Sequence, residues 1–414
     1  MHNVIIGGGP AGYQAALALR EAEQEVTLVN AENEPFYSRV LISHYLGGIK
    51  PRENVYLYGK DCYEQLGIKA YLGRQAVKVD VGAKQVILDN DESLPYDNLL
   101  LASGGEPQVP PIPGRELPGV FSLYTLADAD AIKEWVRPGK PAVVIGGGLV
   151  GIKALEGLME MNLPVSLVEI MDHIMPQVVD AGAAALLQEA LQEKGVKLYL
   201  NNSVEAIEGK DQVEAVRLKD GTVIPCHLVI FGTGVKPAVK FLEGTGVKIN
   251  NGVVVDEYLQ SSVPGIYAAG DVAEAADTIY GEKRVNALWP VATHQGRIAG
   301  INMAGGKESF KGHASVNTVE LLGLRVVSFG YIRPEADFQE AVVNLPAKKA
   351  YRKLIYQGNI LKGGVFVNSV QGSGILYWLA RCGFAVDCVE ELLANPAERF
   401  AYIRDLNQKM VANG

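Results

Sequence analysis

Cysteine is scarce in this chain: four residues in 414, Cys62, Cys226, Cys382 and Cys388. None sits in a C-x-x-C or C-x-x-x-x-C pair. The Cys382/Cys388 spacing suits neither a zinc hairpin nor a redox dithiol, so the four read as reduced residues of a cytosolic protein and no metal site is expected. Long apolar runs are also missing; no uninterrupted stretch approaches the ~20 residues a membrane helix needs. Basic excess is absent as well. A net charge of −9 argues against non-specific nucleic-acid binding. No leader-like segment precedes the first apolar run, which begins directly after Met1 and His2. These absences lead to the expectation of a cytoplasmic protein with no membrane insertion and no nucleic-acid partner.

What is present is a phrase written twice. Residues 4–12 read VIIGGGPAG and residues 143–151 read VVIGGGLVG. Each is a short apolar run opening into G-x-G-x-x-G: Gly7, Gly9 and Gly12, then Gly146, Gly148 and Gly151. A second strand-like run follows each copy, EVTLVN at 25–30 and PVSLVEI at 164–170, so that Asn30 and Glu169 stand at the same spacing from the first glycine of their copies. In such a unit the first glycine permits a tight turn, the second lets backbone approach a pyrophosphate, and the third lets helix and strand pack closely. The pyrophosphate then rests on the positive end of the following helix. One copy is weak evidence; two, each with strand, helix pattern and second strand, predict two dinucleotide sites. Two dinucleotides in one polypeptide point to a flavin exchanging electrons with a nicotinamide.

The remaining punctuation divides the chain. VPPIPG at 109–114 marks a crossover, and alternating strand-like runs after about residue 307 predict an antiparallel sheet. The expected architecture is α/β. A first dinucleotide-binding domain is built from 1–110 and 237–306, with a second Rossmann-like domain inserted at 111–236. A C-terminal α+β domain at 307–384 and a helical tail at 385–414 follow. Charge is uneven. Residues 306–414 carry 13 Lys/Arg and 10 Asp/Glu, and the rest of the chain carries 25 and 37. The cluster Lys348, Lys349, Arg352 and Lys353 reads first as solvated surface cations, with an expected docking face for an acidic partner as the alternative.

Together, GGGPAG at 7–12, YDNLLLASGG at 96–105, GGGLVG at 146–151, FGTGVKP at 231–237 and IYAAGDVA at 266–273 resemble the FAD-dependent pyridine nucleotide-disulfide oxidoreductase superfamily over nearly the whole chain. LWPVATHQGRIAGINMAGG at 288–306 and VNSVQGSGILYWL at 367–379 resemble its NADH:rubredoxin reductase and assimilatory nitrite reductase branch. The resemblance implies that Gly7, Gly9, Pro10, Ala11 and Gly12 hold the FAD pyrophosphate. Arg39 in FYSRVLIS approaches FAD, Val77 meets its adenine through backbone, and Ala102, Ser103 and Gly104 form the flavin loop. Gly270 and Asp271 meet the ribityl chain or pyrophosphate, and Trp289, Pro290 and Gln295 lie near the isoalloxazine. Gly146, Gly148, Leu149, Val150 and Gly151 hold NAD(H), with Thr233 and Gly234 close by. Read from the residues alone, Asp271 also fits a helix N-cap, Trp289 a core position and Arg39 a surface ion pair.

Departures from the family pattern shape the functional expectation. Ser43 stands roughly where relatives with redox chemistry carry a cysteine, and a hydroxyl forms neither sulfenate nor mixed disulfide. Asn30 replaces the acid that usually meets the FAD ribose, with Glu32 available to assist. Lys153 replaces a glutamate after the second fingerprint, either as a functional residue or with its stem in solvent. Glu169 is expected to accept hydrogen bonds from the adenosine ribose of NAD(H) and to repel an added phosphate, since residues 170–173 contain no Arg or Lys. No side chain is required as nucleophile or general base; Ser43, His44 and Lys153 are the nearby polar candidates. The expectation is an FAD-containing NAD(H) oxidoreductase serving an iron–sulfur carrier or the Fe–S subunit of a larger complex, with a homodimer compatible. An NADH oxidase or peroxide/disulfide reductase, and a non-catalytic flavoprotein subunit, are the alternatives.

Overall fold

The computed structural model describes residues 1–386 and 388–394. The first unit begins with β1 (His2–Ile6), α1 (Pro10–Glu21) and β2 (Glu25–Asn30), continues through the short α2 (Ile42–Leu46) and β3 (Lys69–Leu72), and reaches β4 (Asn98–Leu101). The second repeats the plan with β5 (Val120–Ser122), β6 (Ala142–Ile145), α3 (Leu149–Glu160), β7 (Val165–Val168), α4 (Ala181–Glu193), β8 (Lys197–Tyr199) and β9 (Leu228–Phe231). The chain then returns to the first sheet with β10 (Ile266–Ala268) and crosses it with α5 (Trp289–Met303).

Both sheets are parallel, with orders β10-β4-β1-β2-β3 and β8-β7-β6-β9-β5. Their central strands are covered on both faces, which is why VII at 4–6 and AVVI at 142–145 are unbroken apolar runs rather than alternating ones. In each sheet the fingerprint strand lies between a strand that follows its helix and one from a later segment. Strand order reverses at that point, and parallel α/β sheets bind ligands beside such reversals. The links between the units run side by side, Gly105–Pro107 pairing antiparallel with Val235–Pro237.

Two close helix contacts fix the first unit. A Cβ on Gly296 would stand 2.1 Å from the Ala11 carbonyl oxygen, and one on Gly300 would stand 2.6 Å from that of Ala15. Only bare glycines let α5 lie this near α1. The units meet where α2 packs on α3: a Cβ on Gly157 would be 3.1 Å from both the Ser43 carbonyl oxygen and Leu46.

The C-terminal sheet comprises β11 (Val316–Leu321), β12 (Leu324–Gly330), β13 (Gln339–Leu345), β14 (Ala350–Gln357) and β15 (Ile360–Val367). It is antiparallel, with order β11-β12-β15-β14-β13. One face joins the core of the second unit through Leu321, Val326, Tyr351 and Val365. The other face is covered by α6 (Ser373–Cys382) and α7 (Val389–Ala394). Of the tail expected over 385–414, residues 395–414 lie outside the described residues. No helix among the described residues is long and apolar enough to cross a membrane.

This two-sided burial corrects the expected basic docking face. Lys353 is buried, with Nζ 3.0 Å from Asp180 Oδ2 and 2.6 Å from Glu340 Oε2. Arg352 is buried on the opposite face and donates to Ser369 Oγ and to the carbonyls of Leu393 and Ala394. Lys349 pairs with Glu193 at 2.7 Å. Three of the four cations are therefore engaged within the protein, Lys349 and Lys353 at a seam between the C-terminal sheet and α4 and Arg352 on the other face of the sheet. Asp180 also caps α4 through Ala183 N–H and accepts from the Tyr351 hydroxyl. Lys353→Met would leave the Asp180 carboxylate in a buried site without its cation. Removing one partner of a buried pair costs about 3–5 kcal/mol, so the variant is expected to unfold at clearly lower urea concentration than wild type. A midpoint unchanged within error would contradict this role.

Candidate functional site

Within each fingerprint the three glycines have different physical reasons. Gly7 has φ +113°, and a Cβ there would stand 2.0 Å from the Ala102 carbonyl oxygen. A Cβ on Gly12 would stand 1.9 Å from the Gly7 carbonyl oxygen. The second copy repeats this: Gly146 at φ +102° faces the Gly232 carbonyl at 2.6 Å, and Gly151 faces the Gly146 carbonyl at 1.9 Å. The outer glycines are therefore dictated by the protein's own backbone. The middle ones are not. Around Gly9 no protein atom lies within 4 Å of where a Cβ would stand, and around Gly148 the nearest, the Gly232 carbonyl oxygen, is at 4.0 Å. No contact among the described residues requires glycine at either position.

Gly9 and Gly148 are also the N-cap residues of α1 and α3, and no side chain caps either helix. Helix 126–135, by contrast, has a Thr125–Asp128 capping box, and α4 has Asp180. The first-turn N–H groups of α1 and α3 thus face the open side of a glycine turn, an arrangement that binds phosphate. A dinucleotide pyrophosphate fits both cradles.

Asn30 and Glu169 perform the same structural task. Gly8 N donates to Asn30 Oδ1 at 3.3 Å, and Gly147 N donates to Glu169 Oε2 at 2.5 Å. Asn30 then donates to the carbonyls of Glu32 and Glu34, whereas Glu169 accepts from Met171 N at 2.8 Å. Asn30 is thereby spoken for on both sides of its amide. Glu32, the expected helper, is engaged by Arg39 and by the Tyr37 hydroxyl.

Arg39 gathers the next layer. Its guanidinium pairs with Glu32, donates to the Tyr124 carbonyl at 2.7 Å and lies 4.3 Å over the Tyr124 ring. Asp271 faces it; burial pushes this carboxyl up from its ordinary value, and the Arg39 charge offsets part of that. Asp271 is not a helix N-cap: the segment turns, Ala273 N donating to the Gly270 carbonyl, and enters a strand at Ala273–Ala276. Gly270 has φ +81°, and its N–H donates to Gln295 Oε1 at 2.8 Å. Gln295 is 2% exposed, so it holds the Gly270–Asp271 turn from beneath.

The other expected residues are distributed around this centre. Ser103 Oγ donates to the Ala238 carbonyl at 2.8 Å, and Gly104 has φ +65°. Trp289 and Pro290 begin α5, the Trp289 ring lying 5.6 Å from Phe36. Phe36 in turn stacks on Tyr13, and Tyr13 on Tyr58. Val77, 46% exposed, lines a cleft of about 530 Å³ with Ala238 and Phe241. Thr233 lines a cleft of about 820 Å³ with Gln108, Ser122 and Phe231. Leu149 and Val150 open α3. Lys153 lies in the second turn of α3, not the first, and its Nζ bonds Glu156 at 2.7 Å and the Glu320 carbonyl at 2.9 Å. It ties α3 to the C-terminal sheet. Ser43 is buried in α2, and the neighbouring His44 has a buried Nδ1 without a hydrogen-bond partner among the described residues. Cys62 and Cys226 are buried and Cys382 and Cys388 exposed.

The family model for pyridine nucleotide-disulphide oxidoreductases matches residues 1–296. The chain belongs to this family. Members are FAD-dependent and use NAD(H), the two dinucleotides that a duplicated fingerprint requires. Over 381 residues the chain is 31% identical to the NADH-dependent phenylglyoxylate dehydrogenase subunit epsilon of Aromatoleum evansii, covering 90% of each chain. Over 375 residues it is 32% identical to the nitrite reductase (NAD(P)H) of Bacillus subtilis (strain 168), covering 89% of this chain and 46% of that protein. Among solved structures it resembles putidaredoxin reductase in its covalent complex with putidaredoxin, with a TM-score of 0.88, 26% identity, and coverage of 97% and 98%. The chain spans about half the length of the first curated relatives it matches.

The middle glycines supply a separable test. Gly9→Val should yield protein without yellow colour, because its side chain would occupy the cradle on α1. Gly148→Val should keep full flavin absorbance but lose reduction by NADH. Flavin content by absorbance and anaerobic bleaching by NADH read the two effects. Yellow Gly9→Val protein, or Gly148→Val protein bleached at the wild-type rate, would contradict the assignment.

Proposed function

We propose that this chain is an FAD-containing NAD(H) oxidoreductase that exchanges electrons with an iron–sulfur carrier or an Fe–S subunit of a larger complex. The observation that carries the reading is the pair of fingerprints whose middle glycines are bare for no reason internal to the protein. The α1 cradle with Arg39, Ala102, Ser103, Gly104, Gly270 and Asp271 would hold FAD. The α3 cradle with Leu149, Val150, Glu169, Thr233 and Gly234 would hold NAD(H).

When bound, FAD would take one hydride, a single electron pair, from NADH and pass the two electrons on one at a time, chemistry that belongs to the cofactor. The protein's part is position and charge. The N–H groups at the helix starts after Gly9 and Gly148 would hold the anionic pyrophosphates. Gln295 fixes the turn that presents Asp271, and Arg39 sets the charge beside it. The half-buried Asp271 carboxyl, with the Arg39 charge opposing the effect of its burial, is suited to hydrogen-bond a hydroxyl-bearing chain.

Ser43 favours this reading over disulfide reduction: a hydroxyl at that position cannot store a second electron pair as a thiol would. The names of the relatives support an electron-transfer role: a dehydrogenase subunit, a nitrite reductase, and a reductase caught on its redox partner. Anaerobic titration with NADH should reach its endpoint at one equivalent per FAD, and the reduced protein should then reduce a ferredoxin or rubredoxin. A second equivalent taken up before the endpoint would reveal a redox disulfide and contradict the proposal. Rapid reoxidation by oxygen with no transfer to either carrier would favour the oxidase reading instead.

A further inference from the structure

Glu169 alone argues for a site that rejects an adenosine ribose carrying a phosphate. The structure changes the charge balance at this end of the second fingerprint in two ways. Both Glu169 oxygens already accept backbone N–H groups, from Gly147 at 2.5 Å and Met171 at 2.8 Å, and the residue is 6% exposed. Its negative charge is thus partly met by amide dipoles before any ligand arrives.

The second change comes from the C-terminal sheet. Residues 170–173 contain no Arg or Lys, but Arg333, just after β12, reaches back over this loop. Its Nη2 lies 3.5 Å from His173 Nε2 and 3.4 Å from the Pro176 carbonyl oxygen. These long contacts aim a five-donor guanidinium without saturating it. Arg325, on β12 itself, pairs with Glu320; Arg333 forms no carboxylate pair within 4 Å among the described residues. Asp172, whose carboxylate feels the Arg333 charge, is bonded to His173 Nδ1 at 2.5 Å. Beside it Ile170 and Met171 are 68% and 40% exposed, an apolar shelf of the kind an adenine covers.

We infer that Arg333 is the specificity-determining residue at the adenosine end of the second fingerprint, and that through it this site takes NADPH as well as NADH. The inference rests on the reading of Gly146–Gly151 as the nicotinamide-dinucleotide site. A phosphate on the adenosine ribose carries close to two negative charges and offers oxygens matched to the guanidinium fork. Arg333 comes from a different part of the fold from Glu169, so phosphate recognition can be altered without disturbing the fingerprint.

The test compares 5′-AMP with 2′,5′-ADP, which differ only by that phosphate, as competitors of NADH fluorescence on the FAD-loaded protein kept anaerobic with its flavin already reduced. Wild type should bind 2′,5′-ADP at least as tightly as 5′-AMP. In Arg333→Ala the affinity for 2′,5′-ADP should fall about tenfold, the loss of one charge-assisted contact, while that for 5′-AMP changes less than about twofold. Arg333→Lys, which keeps the charge and loses the fork, should fall between. Preference for 5′-AMP in wild type, or the same ratio in wild type and Arg333→Ala, would overturn the role of Arg333 and leave the fingerprint reading standing. Failure of 5′-AMP to compete in wild type would overturn that reading and this inference with it.

Discussion

Two helix N-termini, at Gly9 and Gly148, present N–H groups that no side chain caps and that open on a turn bare of Cβ atoms. An uncapped helix start lacks a contribution of about 0.5–2 kcal/mol that a Ser, Thr, Asp or Asn would supply. The same chain uses such caps at Thr125 and Asp180. Other helix starts also go without a side-chain cap, at Leu288 and Gly372 among them, but only these two follow a duplicated glycine turn, and much of the architecture bears on those turns. The central strands β1 and β6 aim the turns, Gly7 and Gly146 make them, and Gly12 and Gly151 let α1 and α3 lie close. On the first unit, Gly296 and Gly300 bring α5 down onto α1 and carry Gln295 beneath the Gly270–Asp271 turn.

The C-terminal sheet is more than an appendix to this arrangement. It is welded to the second unit through Lys353, Asp180 and Tyr351, through Lys349 and Glu193, and through Lys153 and the Glu320 carbonyl. Arg333 extends from it to the loop after Glu169. The residues that bear on the second dinucleotide are therefore drawn from two parts of the chain. Lys349 and Lys353 are engaged at this seam and Arg352 on the sheet's other face, so these three do not form an open basic docking face.

The duplicated glycine turn, the parallel sheets and the antiparallel C-terminal sheet were legible in the sequence, because each rests on short-range pattern: apolar runs, glycine spacing and alternation. The equivalence of Asn30 and Glu169 was legible from spacing alone, though not that both would close their own turns. What could not be read was pairing across distance. Arg352 and Lys353 looked like surface cations because β14 shows no clean alternation. The reason is that its sheet is covered on both faces, with Asp180 waiting on one and the Leu393 and Ala394 carbonyls on the other. Arg333 was invisible for the same reason, its contacts at His173 and Pro176 lying far away in sequence. Asp271 read equally as a helix cap; only the strand that follows it excludes that.

The most direct measurement is a crystal structure of the protein with FAD and NADH both bound. The account predicts the FAD pyrophosphate over Gly9 at the start of α1 and the NADH pyrophosphate over Gly148 at the start of α3. The nicotinamide should lie against the flavin, and no cysteine sulfur should contact the ring. Either dinucleotide seated away from its glycine, or both competing for one cradle, would contradict it.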